Sequence, residues 1–414
     1  MSFAPRVSLI IVSRHRPEAL KRVAASLRFQ SYTNFEVILV SDAPDRSFLA
    51  GIPASENMLH IPFDQANISA ARNLGLAHAQ GEIVAFCDDD AVPDPNWLTA
   101  LVQPFSNPTI ASAGGFVRGR NGFSYQWKAL LSDLRGEDTP LNIDQTLPYV
   151  EVPFDGDRFA KLQGTNCAFR RDALLGIGGF DEGFRFYLDE TDVCLRLAQA
   201  GHSAAFVNGA EVHHGFEESA LRSAARVPRS LFEIGASKRR YLDKYCAEEH
   251  VLEAEQRFFS DQKKRLLRFM VEGRLEPRDV PALMGTLRDG FNTIPEMVKS
   301  SHLVAERAFG PLNAGKNPKA VALAGGVLAS RALTERAQEL AKCGTPVVVF
   351  RFARNSLFHR RYFDERGFWV QTGGVFGRSS RTDPLFSWWT LRHRTRRELE
   401  KCYVDFGVTE TQIF

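Results

Sequence analysis

Several common signatures are missing from this sequence, and each absence excludes something. The six cysteines (Cys87, Cys167, Cys194, Cys246, Cys343, Cys402) are scattered, with no C-x-x-C pair. That spacing argues against a zinc or redox motif and for reduced thiols in a cytosolic protein. Nowhere do about 18 apolar residues run together, the length a membrane-spanning helix requires. The opening MSFAPRVSLIIVSRHR has neither the long apolar region nor the small-residue cleavage site of a secretory signal. A cytoplasmic protein is expected, soluble or peripheral at the inner membrane face. The net charge of +3 over 414 residues is too small to argue for a nucleic-acid partner. There is no internal repeat and no low-complexity tract.

What is present is an alternation of short apolar runs and helical patterns in a chain too long for one core. Val7 to Val12, Phe35 to Val40 and Glu82 to Cys87 read as strands, with helices expected over Glu18 to Phe29 and Ser69 to Ala79. Such alternation predicts βαβ units and a mainly parallel sheet, with ligands at the carboxyl ends of its strands. From Glu217 to Ala308 the pattern turns helical and highly charged. Gly, Pro, Asn and Lys concentrate from Gly310 to Pro318, as in a linker. Beyond it, Ala320 to Leu328, Arg331 to Lys342 and Val347 to Phe352 read as strand, helix and strand. The expected organisation is 1–216 as an α/β domain, 217–309 as a mainly helical region and 310–414 as a small α/β region.

The third strand ends in Asp88-Asp89-Asp90. Three like charges at a strand end repel one another and are costly to desolvate, so they call for a compensating cation. A hard divalent metal carrying phosphate oxygens would supply it. Downstream, Tyr187-Leu188-Asp189-Glu190-Thr191-Asp192 opens a helix whose dipole favours acids at its N-terminus. Asp189, Asp192 and Arg196 share one face, and Glu190 projects about a quarter-turn away.

With these residues in view, the chain resembles the family 2 inverting glycosyltransferases, which have the GT-A fold. The resemblance runs from Val7 to about Gly215. It rests on VSLIIVSRHRPEALKRVAASLRFQSYTNFEVILVSD, on ISAARNLGLAHAQGEIVAFCDDD and on GTNCAFRRDALLGIGGFDEGFRFYLDETDVCLRLAQAG, in that order. It implies transfer of a sugar from a nucleotide diphosphate, a UDP-sugar ahead of others, to a glycan, lipid-linked or other hydroxyl acceptor, with Mn²⁺ or Mg²⁺. Asp88 and Asp90 fall on the acids of the family's D-x-D, Asp90 being the direct metal ligand and Asp89 lying nearer the ribose. Asp42 matches an acid that contacts the uracil or ribose, with Ser41 in place of the commoner first acid of that pair. Arg72 and Asn73 match an A-R-N signature whose guanidinium pairs with the pyrophosphate or steadies the base pocket. The family's usual E-D-x-D carries the general base at its second position, which here is Glu190, with Asp189 ranked next. His214, after Ala210-Glu211-Val212, matches a histidine that completes the metal coordination. His213, one residue earlier on an extended segment, should point the other way.

Two other readings compete. A sugar-1-phosphate nucleotidyltransferase expects a glycine-rich loop after the first strand, and Val12-Ser13-Arg14-His15-Arg16 contains no glycine. A glycan-binding protein with a decayed transferase domain would not need the acids at Asp88, Asp90, Asp189 and Glu190. The stretch Phe352 to Trp389 mixes aromatics with arginines, which suits the core and rim of a small domain or a peripheral contact with an anionic membrane. Gly164-Thr165-Asn166 and Gly178-Gly179-Phe180-Asp181 read as a backbone-mobile acceptor wall.

Overall fold

The computed structural model describes residues 3–52, 54–215, 217–293, 305–312, 319–403 and 406–414. Val7–Ser13 (β1) and Phe35–Ser41 (β2) flank Pro17–Leu27 (α1), which starts on a proline suited to the first helical position. Leu59–Pro62 (β3) precedes Ile68–His78 (α2), capped by the Asn67 side chain accepting from Ala70 N at 3.1 Å. Ile83–Cys87 (β4), Ala91–Pro93 (β5) and Trp97–Leu101 (α3) follow. The chain then runs through Ile110–Arg118 (β6), Tyr125–Trp127 (β7), Leu130–Ser132 (β8), Asp138–Pro140 (β9), Tyr149–Val152 (β10), Phe159–Lys161 (β11) and Asn166–Arg170 (β12). Arg171–Gly176 (α4), Asp189–Gln199 (α5) and Ser203–His214 (β13) complete this part.

The main sheet has the order β10-β13-β6-β12-β4-β1-β2-β3, with β5 on β13 and β7 on β6. β3, β2, β1 and β4 run parallel, and β12 runs antiparallel between β4 and β6. The parallel strands are covered on both faces, which is why β2 is apolar almost throughout and buried along its whole length. β6 had no counterpart among the expected strands. Its sequence, IASAGGFVR, is rich in small residues because the neighbouring backbone comes very close: a Cβ on Gly115 would lie 1.8 Å from the Ala210 carbonyl oxygen. That approach coincides with a register shift between Val207 and Glu211, beyond which β13 runs on to His214.

Phe232–Tyr245 (α6), Glu248–Val271 (α7) and Asp279–Phe291 (α8) make up the helical region, and α6 packs along α8. Of the expected linker, residues 313–318 lie outside the described residues. Leu312 is buried and its N–H donates to Phe35 O at 2.8 Å. Then come Ala320–Gly325 (β14), Ser330–Lys342 (α9), Val347–Ala353 (β15), Arg360–Asp364 (β16), Phe368–Gly374 (β17), Leu391–Cys402 (α10) and Val408–Ile413 (β18). Their sheet has the order β16-β17-β15-β14-β18 and is parallel except at β16. The first strand stops at Gly325, short of the expected Leu328, and a 3₁₀ turn leads into α9. Among the described residues, no helix is long and apolar enough to cross a membrane.

The second sheet is fastened to the first through a continuous core in which Leu9, Phe29 and Trp97 pack together with Val348, Phe350 and Trp369. At its centre Arg361 Nη2 meets Asp94 Oδ1 at 2.9 Å, with the guanidinium against Trp369, Tyr403 and Phe406. Burial acts to raise the Asp94 carboxyl, but Arg361 and His213 outweigh it and hold the group ionised, at about 2. Removing one partner of a buried pair leaves the other charge uncompensated. Arg361→Met should therefore lower the unfolding free energy by about 3–5 kcal/mol. Urea denaturation measures this, and an unchanged midpoint would show that the pair does not fasten the two sheets.

Candidate active site

The carboxyl ends of β1, β2 and β4 lie side by side, since Ser13 pairs with Ser41 and β4 runs parallel to β1. Asp88, Asp89 and Asp90 emerge there, and their side chains diverge. Asp88 accepts a hydrogen bond from Thr165 Oγ1 and lies 3.7 Å from Arg72 Nη2. Asp90 accepts from Glu217 N at 2.8 Å and has its Oδ1 3.2 Å from His214 Nε2. Burial acts to raise the Asp90 carboxyl, yet His214, Arg16 and the Glu217 amide together hold it well below the usual range. His214 Nδ1 meets Gln126 Oε1 at 2.9 Å, which fixes the ring with Nε2 toward the acids. Asp88, Asp90 and His214 each offer a ligand atom, all within 4.8 Å of one another. Two carboxylates and an imidazole are a donor set suited to Mn²⁺.

Asp89, expected near the ribose, is turned away from the cavity and fully buried. Ser13 Oγ donates to it at 2.6 Å and Arg16 pairs with it at 2.6 Å. Burial pushes its carboxyl up, against the opposing charge of Arg16. It therefore anchors the loop after β1. Asp42 stands at the end of β2 and is held by His15, whose Nδ1 is 2.6 Å away and whose backbone N–H donates at 3.0 Å. His15, Asp42 and Asp64 form a second, more exposed group of possible ligands. His213 points opposite to His214, as its place on a strand requires, toward Asp94 at 3.1 Å and the Trp369 ring.

Arg72 is buried and ion-paired to Asp189. Both acids hold its guanidinium charged against the cost of burial, and it lies 5.7 and 5.4 Å from the Phe86 and Phe180 rings. The guanidinium thus bridges two cavity acids, Asp88 and Asp189. Asn73, expected beside it at the donor, instead clamps the turn at Gly179: its Nδ2 donates to Phe180 O at 2.8 Å and its Oδ1 accepts from Phe180 N at 2.8 Å. Gly164 also has a packing reason, since a Cβ there would lie 2.4 Å from Arg72 Nη2. Of the expected mobile wall, Gly164 and Gly179 are closely packed against Arg72 and Asn73, while Gly178 is exposed with open space around it.

Asp189 and Glu190 both face a cavity of about 790 Å³ that is also lined by Asp88, Asp90 and His214. Burial pushes the Glu190 carboxyl well above its ordinary 4.5, and the neighbouring Asp189 pushes it further, against Arg72 and Lys161. Asp192 is not available: Arg196, Lys244 and Tyr245 all hold it. Sequence reasoning missed several lining residues. Arg16 compensates Asp89 and Asp90. Trp127 stands 6.0 Å from the His214 ring, and Arg222, Arg226 and Arg265 also line the cavity. A cluster of arginines in a charged helical stretch was the available signal, but without a fold nothing showed which of them face inward.

The sheet gathers acids and a histidine at its strand ends, beside a carboxylate pair, at the place where open α/β sheets bind ligands. The family model for "Glycosyl transferase family 2" matches residues 8–175, and that part of the chain belongs to glycosyltransferase family 2. The chain is 30% identical over 205 residues to a pre-mycofactocin glycosyltransferase of Mycobacterium tuberculosis, covering 47% of this chain and 39% of that protein. It thus spans well under half the length of that relative. A glucosyl-dolichyl phosphate glucuronosyltransferase of Haloferax volcanii is 27% identical over 253 residues, 56% of this chain and 76% of that one. A mannosyltransferase from Pyrobaculum calidifontis, solved with GDP-Man and Mn²⁺, superposes with a TM-score of 0.42 at 16% identity, covering 70% of this chain and 86% of that one.

Asp189 is ion-paired to Arg72, and Glu190, beside it on the cavity, is the carboxyl expected to accept a proton. Glu190→Gln should reduce transfer by at least a hundredfold while donor binding stays within about twofold. Because burial raises the carboxyl and the base works only when deprotonated, activity should rise with pH. Its acid limb should fall well above 4.5. A rate profile flat down to pH 5 would argue against Glu190. Full activity in Glu190→Gln with an inactive Asp189→Asn would transfer the role to Asp189.

Proposed function

We propose that this protein is an inverting glycosyltransferase, transferring a sugar from a nucleotide diphosphate to a hydroxyl acceptor with a divalent metal, Mn²⁺ or Mg²⁺. The observation that carries this reading is one cavity lined on one side by Asp88, Asp90 and His214 and on another by Glu190. Family membership of residues 8–175 supports it. Asp88, Asp90 and His214 would hold the metal. A bound divalent ion supplies positive charge to the diphosphate as it departs. Glu190 takes the proton from the acceptor hydroxyl, and the pairing of Arg72 with Asp189 fixes the start of α5 so that Glu190 is aimed into the cavity. Asp42, with His15, is the group we assign to the ribose or base, with a UDP-sugar as the first donor to test. The acceptor is a glycan or a lipid-linked or other hydroxyl compound, and the protein acts in the cytoplasm or at the inner membrane face. In this reading residues 1–216 supply donor site and base, 217–309 close the cavity, and 310–414 brace the sheet from behind.

Turnover of a panel of UDP-, GDP- and dTDP-sugars with Mn²⁺ or Mg²⁺ tests this reading. Metal-dependent release of the nucleotide diphosphate is expected, and full activity in excess chelator would overturn it. Formation of a nucleotide sugar from nucleoside triphosphate and sugar 1-phosphate would favour a nucleotidyltransferase instead. Asp90→Ala should remove activity with the fold intact, since its partners are His214, Arg16 and one amide rather than the core. His214→Ala should raise the Mn²⁺ concentration giving half-maximal rate by about tenfold or more, as losing one ligand does. His213→Ala should leave that requirement unchanged and lower the melting temperature, because it faces Asp94 and Trp369. Equal metal dependence in the two variants would remove His214 from the metal site.

A further inference from the structure

The aromatic and arginine-rich stretch from Phe352 to Trp389 divides in the structure. Phe352, Phe363, Phe368 and Trp369 are buried in the cores on either side of the second sheet. The loop between β17 and α10 does the opposite: it presents Leu385 at 73%, Phe386 at 46% and Trp388 at 84% of full exposure. The rings of Phe376, Phe386 and Trp388 gather at 5.2–5.4 Å from one another. Leu357, 65% exposed, lies against the backbone on either side of Phe376, since Gly374 N donates to its carbonyl at 3.0 Å and a Cβ on Gly377 would lie 2.0 Å from that oxygen.

This exposure is built in. Phe376 N donates to Asn355 O at 3.1 Å, and Ser387 N donates to Phe376 O at 3.2 Å. Asp383, between the rings in sequence, accepts from Ser379 N and Ser380 N at 3.0 Å and is gripped by Arg397 at 2.7 Å and Lys401 at 3.0 Å. A braced loop therefore holds several large apolar side chains in water, side by side, and a contiguous apolar patch of this kind marks a surface that another body covers.

The charge around the patch says which body. Residues 378–402 hold seven Arg or Lys against three acids. Of those acids, Asp383 is held by Arg397 and Lys401, and Glu398 is buried with Arg394, Gln371 and Ser379. Glu400, exposed on α10, is left. Arg381 in the loop, Arg392 and Arg396 one turn apart on α10, and Arg354 and Arg360 on either side of Leu357 are all exposed. These five arginines take part in no ion pair among the described residues. A second copy of the chain fits poorly, because a two-fold contact would set the same arginines against each other. An anionic lipid surface meets both features: its headgroups pair with the guanidiniums, and its interface takes up tryptophan and phenylalanine rings.

We propose that Leu357, Phe376, Leu385, Phe386 and Trp388, with the arginines beside them, form a docking surface for an anionic lipid bilayer. The inference gives a place to the membrane-face location in the proposed function, yet it stands without the transferase reading. The surface also lies a short packed distance from the cavity. Phe358, next to Leu357, meets Phe123 at 6.3 Å, and Phe123 precedes β7, whose Gln126 and Trp127 line the cavity.

The test is co-sedimentation of the full chain with vesicles of phosphatidylcholine alone and of phosphatidylcholine mixed with phosphatidylglycerol. Binding to the mixed vesicles is expected, weakened by raised salt and much lower on phosphatidylcholine alone. Phe386→Ser/Trp388→Ser should weaken it by about tenfold or more, and so should Arg381→Gln/Arg392→Gln/Arg396→Gln. Exposed positions such as these should leave the melting temperature unchanged, which thermal melting checks. Absence of binding by the wild-type protein, equal binding to both vesicles, or full binding by both folded variants would each overturn the proposal. A dimer in solution that Phe386→Ser/Trp388→Ser turns into a monomer would also overturn it, assigning the patch to a second copy. A protein that binds the mixed vesicles in this pattern but turns over no nucleotide sugar would lose the transferase reading and keep the surface.

Discussion

Arg72 lies buried with its guanidinium on Asp189 and toward Asp88, so that a side chain from α2 joins the end of β4 to the start of α5. An isolated buried cation is costly, and two carboxylates from different walls meet that cost only while all three elements keep their places. The Phe86 and Phe180 rings beside it, and Gly164 close against it, leave the guanidinium little room to move. The distance between the strand-end acids and the carboxyl of Glu190 is therefore set before any substrate arrives. Such preorganisation is what a group-transfer site needs, since misplacement of a reacting group by a single ångström can cost a large factor in rate.

Much of this was legible in the sequence because it depends on local pattern. The apolar runs of β1, β2 and β4 are nearly continuous since parallel strands are buried on both faces, and the acids that follow them belong to the strand ends where such sheets bind ligands. The placing of His213 and His214 on opposite sides follows from the two-residue period of a strand. What was not legible depends on who the neighbour is. β6 carries glycine and alanine because β13 bulges into it, which no periodicity records. Asp89 and Asn73 stand inside matching motifs, yet burial turned one to Ser13 and Arg16 and the other to the Phe180 backbone. Arg222, Arg226 and Arg265 were indistinguishable from the other cations of a charged helical stretch until the loop after β13 was seen to fold back on the cavity.

The C-terminal sheet adds a different constraint. Its apolar face does not stop at its own boundary but runs into the core under β1 and α1, and a charged pair, Asp94 with Arg361, sits inside that joint. Asp94 follows β5, and β5 pairs with the stretch of β13 that ends in the two histidines. His213 reaches from that strand into the joint while His214 reaches into the cavity, so adjacent residues tie the brace and the acidic site to the same backbone. Motion of the C-terminal sheet is in this way linked to the strand that carries a candidate metal ligand.

Three residues other than glycine hold left-handed backbone conformations at the cavity: His15 just before Arg16, Leu188 just before Asp189, and Arg226 itself. Each such residue costs on the order of 1–3 kcal/mol that packing elsewhere must offset. Heat resistance and side-chain aim therefore pull in opposite directions at these positions. A library selected for melting temperature alone would be drawn to glycine or asparagine there, and would loosen the loops that point Arg16, Glu190 and Arg226 inward. Engineering a hardier form of this protein is better directed at the exposed faces of α7 and α9, where no backbone is strained and no side chain is aimed.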